Sequence, residues 1–265
     1  ANLRGRIDED AYIAHPKSTV KAAIVILIRN SEIDGLEKTL PMYERRFNQH
    51  YNYPYVFLND ADFTDEFKER ARKLSKSRMI FGKVPKEHWS YPSWIDQEHA
   101  AQCRKDMESR NIIYGGSESY RHMCRYNSGF FFRHPLLLEF DYYWRIEPYV
   151  EFFCDVQYDP FEFMQKNNKD YGFVIMIPEY VETVPTLWKT TKEFMDKNKD
   201  LIPSNNSLHM FTDGKDEYNM CHFWSNFEIG NLNFFRSEKY LKYFDFLDKQ
   251  GGFFYERWGD APVHS

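Results

Sequence analysis

The run KAAIVILIRN at positions 21–30 constrains the fold more than any other feature of this chain. Its apolar residues are consecutive and do not alternate, the pattern of a strand covered on both faces, as when helices pack on either side of a parallel sheet. The stretch LEKTLPMYERRFNQ then reads as a helix, capped by Ser31 in a Ser-x-x-Asp arrangement with Asp34 and kinked at Pro41. PYVFLND (54–60) is a second strand, TDEFKERARKLSK a second helix and RMIFGKV (78–84) a third strand. This β-α-β-α-β opening predicts an α/β fold with a mixed, mostly parallel sheet of the nucleotide-binding kind. Ligands bind such sheets beyond the carboxyl ends of the strands, where this chain carries Arg29, Asn30, Asn59 and Asp60.

A later strand carries the most suggestive chemistry. YYWRIEPYVEFFCDVQYDPF, Tyr142 to Phe161, opens with aromatic residues and then places Glu147 before Pro148, with Asp155 further on. Proline has no N–H and a fixed φ, so the strand ends or bulges beside Glu147 and frees that carboxylate to point at a ligand. The alternative is a solvated glutamate at a strand terminus. Upstream, VPKEHWSYPSW reads as a loop, followed by two helical stretches, DQEHAAQCRKDMESRN and SESYRHMCRYNSGFFF. In the second, Arg121 and Arg125 stand at i, i+4, a spacing that can clamp a diphosphate through bidentate hydrogen bonds or can simply form a basic helix face.

Downstream, PFEFMQKN is a short helix, YGFVIMIP (171–178) a buried strand, TLWKTTKEFMDKNKD a helix with Trp188, Phe194 and Met195 on its apolar side, and SNNSLHMFTDGKDEY a polar loop. FWSNFEIGNLNFFR reads as extended and contains Glu228 between Phe227 and Ile229. An acid with apolar neighbours carries a desolvation cost unless a partner offsets it, which suits a catalytic carboxylate; a strand glutamate facing water is the bland alternative. SEKYLKYFDFLDKQ closes as a helix with Ser237 as N-cap and Gly251 at its end. No repeat, low-complexity segment or interior linker interrupts the chain, so a single domain over 1–265 is expected.

Composition excludes several classes of function. The net charge is −5 with scattered Lys and Arg, which provides no basic field for nucleic acid. Aromatics reach 18% of residues, suited to a core of large rings and to platforms for sugars. No run approaches the roughly 18 apolar residues that span a bilayer. The opening ANLRGRIDEDAYIAHP lacks the apolar centre of a signal peptide. Cys103, Cys124, Cys154 and Cys221 show no CxxC spacing, which argues against structural zinc and leaves one or two disulfides, or buried thiols. Asn205-Asn206-Ser207 is a glycosylation sequon and agrees with a secretory compartment.

Four blocks together resemble a known family: the Glu-Pro-x-Val signature at 147–150, SYRHMCRYNSGFFFRHP at 119–135, YNMCHFWSNFEIGNLNFFRS at 218–237 and RWGDAPVHS at 257–265. Their order and content are similar to the fungal Golgi α-1,2-mannosyltransferases of glycosyltransferase family 15. The resemblance implies a GT-A-like nucleotide-sugar fold and a retaining enzyme using GDP-mannose and Mn2+ to extend mannose-terminated O- or N-linked glycans. It also implies a type II membrane protein of the Golgi lumen, of which this chain would be the catalytic portion without anchor, stem and a C-terminal part. By the same resemblance Glu147 holds the metal in place of an Asp-x-Asp motif. Glu228 is then the nucleophile or electrostatic stabiliser beside the mannose, and Tyr120 lies near the reacting sugar. Arg29, Arg125, Arg145 and Asp155 are the expected donor contacts. A late histidine often supplies a second metal ligand in such folds; His264 is the nearest here and is left unassigned. A glycoside hydrolase using Glu147 and Glu228, or a lectin-like binding module, are the alternatives.

Overall fold

The computed structural model describes residues 20–265, so the opening ANLRGRIDEDAYIAHP lies outside the described residues. The chain divides into two compact units, one formed by residues up to 85 with 132–173 and 226–234, the other by 86–131, 174–225 and 235–265. Eight strands are present among the described residues: β1 (Ala22–Leu27), β2 (Tyr55–Asn59), β3 (Met79–Lys83), β4 (Tyr142–Arg145), β5 (Tyr171–Gly172), β6 (Met176–Pro178), β7 (Cys221–Phe223) and β8 (Glu228–Asn231).

The first unit is built on a six-stranded sheet in the order β3-β2-β1-β4-β8-β5. Strands β3, β2, β1 and β4 run parallel, while β8 is antiparallel to both β4 and β5. The expected α/β architecture with a mixed, mostly parallel sheet is what forms. Side chains alternate across a strand, so Ile24 and Ile26, Tyr55 and Phe57, Met79, and Trp144 share one face. They enclose a core with Leu36, Leu40, Tyr43, Phe47 and Phe67 from the flanking helical segments. Trp144 sits at its centre, with ring centroids 5.3 Å from Tyr43, 5.0 Å from Phe47 and 5.3 Å from Phe227. Such offset and edge-on ring pairs add to the stabilisation that burial supplies, and they account for much of the aromatic content.

Two local expectations are corrected. Ser31 does not cap the first helix: Asn30–Glu32 form a 3-10 turn, the Glu32 carboxylate accepts from the Arg29 N–H at 2.8 Å, and the α-helix runs Ile33–Tyr43. Pro41 lies inside that helix as expected, and the helix continues into a π-helical turn at Glu44–Asn48. The run 171–178 is not one buried strand, because the chain passes from the first unit to the second at Phe173–Val174. β5 and β6 therefore belong to different sheets, and Phe173, Val174 and Ile175 between them are exposed.

The second unit pairs β6 with β7 antiparallel and is otherwise mainly helical, including Gln97–Ser109, Glu118–Gly129, Leu187–Lys197 and Glu238–Gln250. Asp96, Ser117 and Ser237 cap the first, second and last of these helices through their side chains, and Gly251 takes the left-handed conformation (φ 76°) that ends Glu238–Gln250. Helices Glu118–Gly129 and Glu238–Gln250 approach closely at Gly129, where a Cβ would lie 2.0 Å from the Phe244 ring. Gly129→Ala is expected to cost about 1–3 kcal/mol by overpacking, read as a lowered urea midpoint; an unchanged midpoint would show that Phe244 has room to move. All four cysteines are free thiols. No helix among the described residues is long and apolar enough to cross a membrane.

Candidate active site

The site forms where β4 and β8 run side by side in the first unit. Their register sets Arg145 opposite Glu228 and Tyr143 opposite Gly230, while Tyr171 of β5 stands opposite Gly230 from the other side. Tyr143, Arg145, Glu228 and Tyr171 thus share one face of the sheet. Gly230 contributes no side chain between the two tyrosines, and both hydroxyls turn toward the glutamate. Tyr143 donates to Glu228 Oε1 at 2.9 Å and Tyr171 donates to Oε2 at 2.5 Å. Arg145 Nη1 stands 3.9 Å from Oε1. Glu228 is fully buried, at 0% exposure. A buried carboxylate persists only where hydrogen bonds and an opposite charge offset lost hydration, and all three partners do so here. Burial, then the neighbouring Glu228 charge, holds the Tyr143 hydroxyl well above the usual tyrosine range, so it stays a donor.

Glu147 lies just past the end of β4, before Pro148, with its side chain 26% exposed. Arg145 binds its Oε1, and the Asn226 amide donates to its Oε2 at 2.8 Å. One arginine therefore touches both carboxylates. The following turn is held by a left-handed Tyr149 (φ 67°) whose ring lies against Gly35, where a Cβ would come within 2.5 Å of it. Glycine at 35 is thus required for the Pro148–Tyr149 turn to seat on the first helix.

Among the described residues no cluster of three His, Cys, Asp or Glu side chains gathers to cage a metal. A single hard carboxylate oxygen donor, backed by a neutral amide, fits instead a divalent cation that takes most of its ligands from a bound diphosphate and water. His264 Nε2 stands 3.2 Å from the Asn127 carbonyl oxygen and packs its ring on Phe235.

The other expected donor contacts fare differently. Arg29 follows β1 at the carboxyl edge and is exposed. Asn30 beside it bridges the Asp62 carbonyl at 2.9 Å and the Thr64 N–H at 3.1 Å, fixing the adjoining loop. Asp155 is displaced from that edge. The first helix runs back from the end of β1, and its π-helical extension is tied to the residues before β2 by Asn48 bonds to Tyr53. Asp155 pairs with Arg46 of that extension at 2.7 Å, so it lies toward the amino edge, beside a cavity of about 660 Å³ that Arg45, Arg46 and His50 also line. Its expected donor role is corrected on that ground.

In the second unit, Arg125 is 3% exposed and binds both oxygens of Asp248 at 2.7 Å. Arg121 is 0% exposed and donates to the carbonyls of Gly115, Ser117 and Glu256; burial brings its guanidinium down to about 10. The diphosphate clamp is thus corrected: the i, i+4 face that carries both arginines is the buried face of the helix. Tyr120 stacks on Tyr114 with centroids 4.4 Å apart and has the Arg257 guanidinium 5.1 Å from its ring. The nearby Cys124 sulfur, then burial, push its hydroxyl well above the usual range. Arg145, Glu147 and Glu228 are brought together within the first unit, whereas Tyr120 and Arg125 belong to the second. Sequence reasoning missed Tyr143, Tyr171 and Asn226. The signal for Tyr143 was its position two residues before Arg145 on a strand; for Tyr171 and Asn226 it exists only in the pairing of strands and turns.

Comparison with known proteins now adds the family. The sequence profile described as "Glycolipid 2-alpha-mannosyltransferase" matches residues 6–265. The chain belongs to this family. Among glycolipid 2-alpha-mannosyltransferase family members, it is 56% identical over 257 residues to glycolipid 2-alpha-mannosyltransferase 1 of Candida albicans, covering 97% of this chain and 59% of that protein. It is 54% identical to the alpha-1,2 mannosyltransferase KTR1 of Saccharomyces cerevisiae, covering 92% and 63%. The chain thus spans about three-fifths of the length of these relatives. Among solved structures, core-mannan synthase A of Aspergillus fumigatus, in its Mn/GDP form, superposes with a TM-score of 0.91 at 45% identity, covering 100% of this chain and 75% of that one. Together with the sheet described above, this likeness makes the fold of this glycolipid 2-alpha-mannosyltransferase family member GT-A-like.

Proposed function

We propose that this chain is the catalytic portion of a retaining α-1,2-mannosyltransferase that moves mannose from GDP-mannose to mannose-terminated O- or N-linked glycans, with Mn2+ as cofactor, in the Golgi lumen. Family membership and the Mn/GDP form of the Aspergillus relative support the donor and the metal. The observation in this chain that carries the reading is the pairing of a partly exposed Glu147 with a buried Glu228 through Arg145, at the end of the β4–β8 pair.

In this reading Glu147 holds the cation together with the diphosphate, and the exposed Arg29 and the Arg145 guanidinium meet donor oxygens. The bound ion would act as a Lewis acid on the leaving diphosphate. Glu228 supplies fixed negative charge that favours an oxocarbenium-like centre over the neutral ground state. Tyr120, held between Tyr114 and Arg257, is assigned to the reacting sugar from its match to the family. The sequon at Asn205, in an exposed polar loop, agrees with a lumenal location.

Isothermal titration with GDP and UDP, with and without manganese, tests the proposal. GDP is expected to bind more tightly than UDP, and manganese to tighten it. Glu147→Gln keeps shape and hydrogen bonding but removes the charge, so manganese-dependent GDP affinity should fall by about tenfold or more while the apo melting temperature stays nearly constant. Normal manganese-dependent binding in that variant would remove Glu147 from the metal site, and equal binding of GDP and UDP would remove the nucleotide assignment.

A further inference from the structure

Resting on the proposed transferase reading, we infer that Tyr143 and Tyr171 are positioning residues, which fix the Glu228 carboxylate for the transfer step by placing one hydroxyl on each of its oxygens. Three observations carry this. The two hydroxyls arrive from different strands, β4 and β5, across the side-chain-free position of Gly230, and each takes a different oxygen, at 2.9 and 2.5 Å. Because each oxygen accepts a separate bond, the plane of the carboxyl group cannot rotate without breaking one of them. Glu228 has no contact with solvent that could supply a replacement donor.

The pair also has a direction. Arg145 meets Glu228 on one side at 3.9 Å and holds Glu147 on the other. The tyrosines therefore set the distance of a fixed negative charge from the arginine that in turn contacts the proposed metal ligand. Preorganised charge of this kind needs no reorganisation when charge develops on the sugar, which is where a buried carboxylate contributes most. A purely structural role predicts something different: β5 is only a two-residue strand, and a brace from Tyr171 to Glu228 would serve to retain it, affecting stability and nothing else.

Kinetics on Tyr143→Phe and Tyr171→Phe, alone and in a Glu228→Gln background, decide between these roles. The assay uses GDP-mannose, manganese and radiolabelled transfer to α-methyl mannoside, with GDP affinity measured beside it. Each single tyrosine variant is expected to lower kcat about 10- to 100-fold, the size of one hydrogen bond to a charged group, with GDP affinity and donor KM within about twofold. In the Glu228→Gln background the same changes should cost nothing further, since the carboxylate they position is gone. Unchanged kcat with a lowered unfolding midpoint, or losses that remain full in the glutamine background, would overturn the inference. Tyr171→Phe, at the edge strand, is the variant expected to fold in every background and suffices alone. Absence of transfer by the unsubstituted chain would overturn the proposed function and this inference together, whereas normal transfer with unaffected tyrosine variants overturns only the inference.

Discussion

Glu228→Gln is expected to reduce mannosyl transfer by on the order of 10³-fold while leaving manganese-dependent GDP affinity within about threefold. The physical basis lies in the two hydroxyls that meet this side chain. Glutamine is nearly isosteric, yet it removes the charge and turns one acceptor oxygen into an N–H2 donor. One of the tyrosine hydroxyls then faces a donor and its own proton loses its acceptor, so geometry and electrostatics are lost together. The cost to stability is expected at about 1–3 kcal/mol for the unsatisfied buried group, small beside the loss of rate. An interaction that matters in the transition state lowers turnover more than ground-state binding, so the split between kcat and GDP affinity is the measurement that counts. Near-normal turnover in this variant would reject both the nucleophile and the stabiliser role.

Arg125→Ala should have the largest effect on stability, a loss of about 3–5 kcal/mol. Its guanidinium and the Asp248 carboxylate are both nearly inaccessible, 4% and 6% exposed, and are joined by two bonds of 2.7 Å. Removing the arginine leaves Asp248 charged in a site with little water, where dehydration is no longer offset. Arg125 also stacks on Phe130, 4.7 Å from the ring centroid, so packing is lost as well. Replacing both partners, as in Arg125→Met with Asp248→Leu, should recover most of the loss, because two apolar side chains leave no uncompensated charge. Urea unfolding of the single and double variants measures this. An unchanged midpoint accompanied by weaker GDP binding would restore Arg125 as a donor contact.

The two arginine assignments show where a linear reading stops. Arg121 and Arg125 at i, i+4 specify that both side chains leave one face of a helix, and that much follows from helical periodicity alone. Whether the face meets solvent or other protein depends on elements far along the chain, such as Asp248 and the Glu256 carbonyl. Asp155 teaches the same lesson over a shorter span. Its sequence distance from Glu147 suggests proximity, yet the chain passes along the sheet toward the amino edge and delivers Asp155 to Arg46.

What the sequence determined by itself is most of what local covalent and steric rules govern, the Ser31 cap being the exception. Consecutive apolar residues at 21–30 specified a strand covered on both faces and those at 54–60 a second strand, while Ser237 specified a helix start and Gly251 its end. Glu147-Pro148 marked the end of β4, because proline cannot continue a ladder of hydrogen bonds. Tertiary structure alone decided what depends on register between distant segments. Only the pairing of β4 and β5 with β8 brings Tyr143 and Tyr171 onto the two oxygens of Glu228, and only the chain's passage between units splits 171–178 into two sheets. Strand propensity is a property of neighbouring residues, but register is set by the packing of the whole sheet, and a shift of one residue would turn Glu228 to the opposite face.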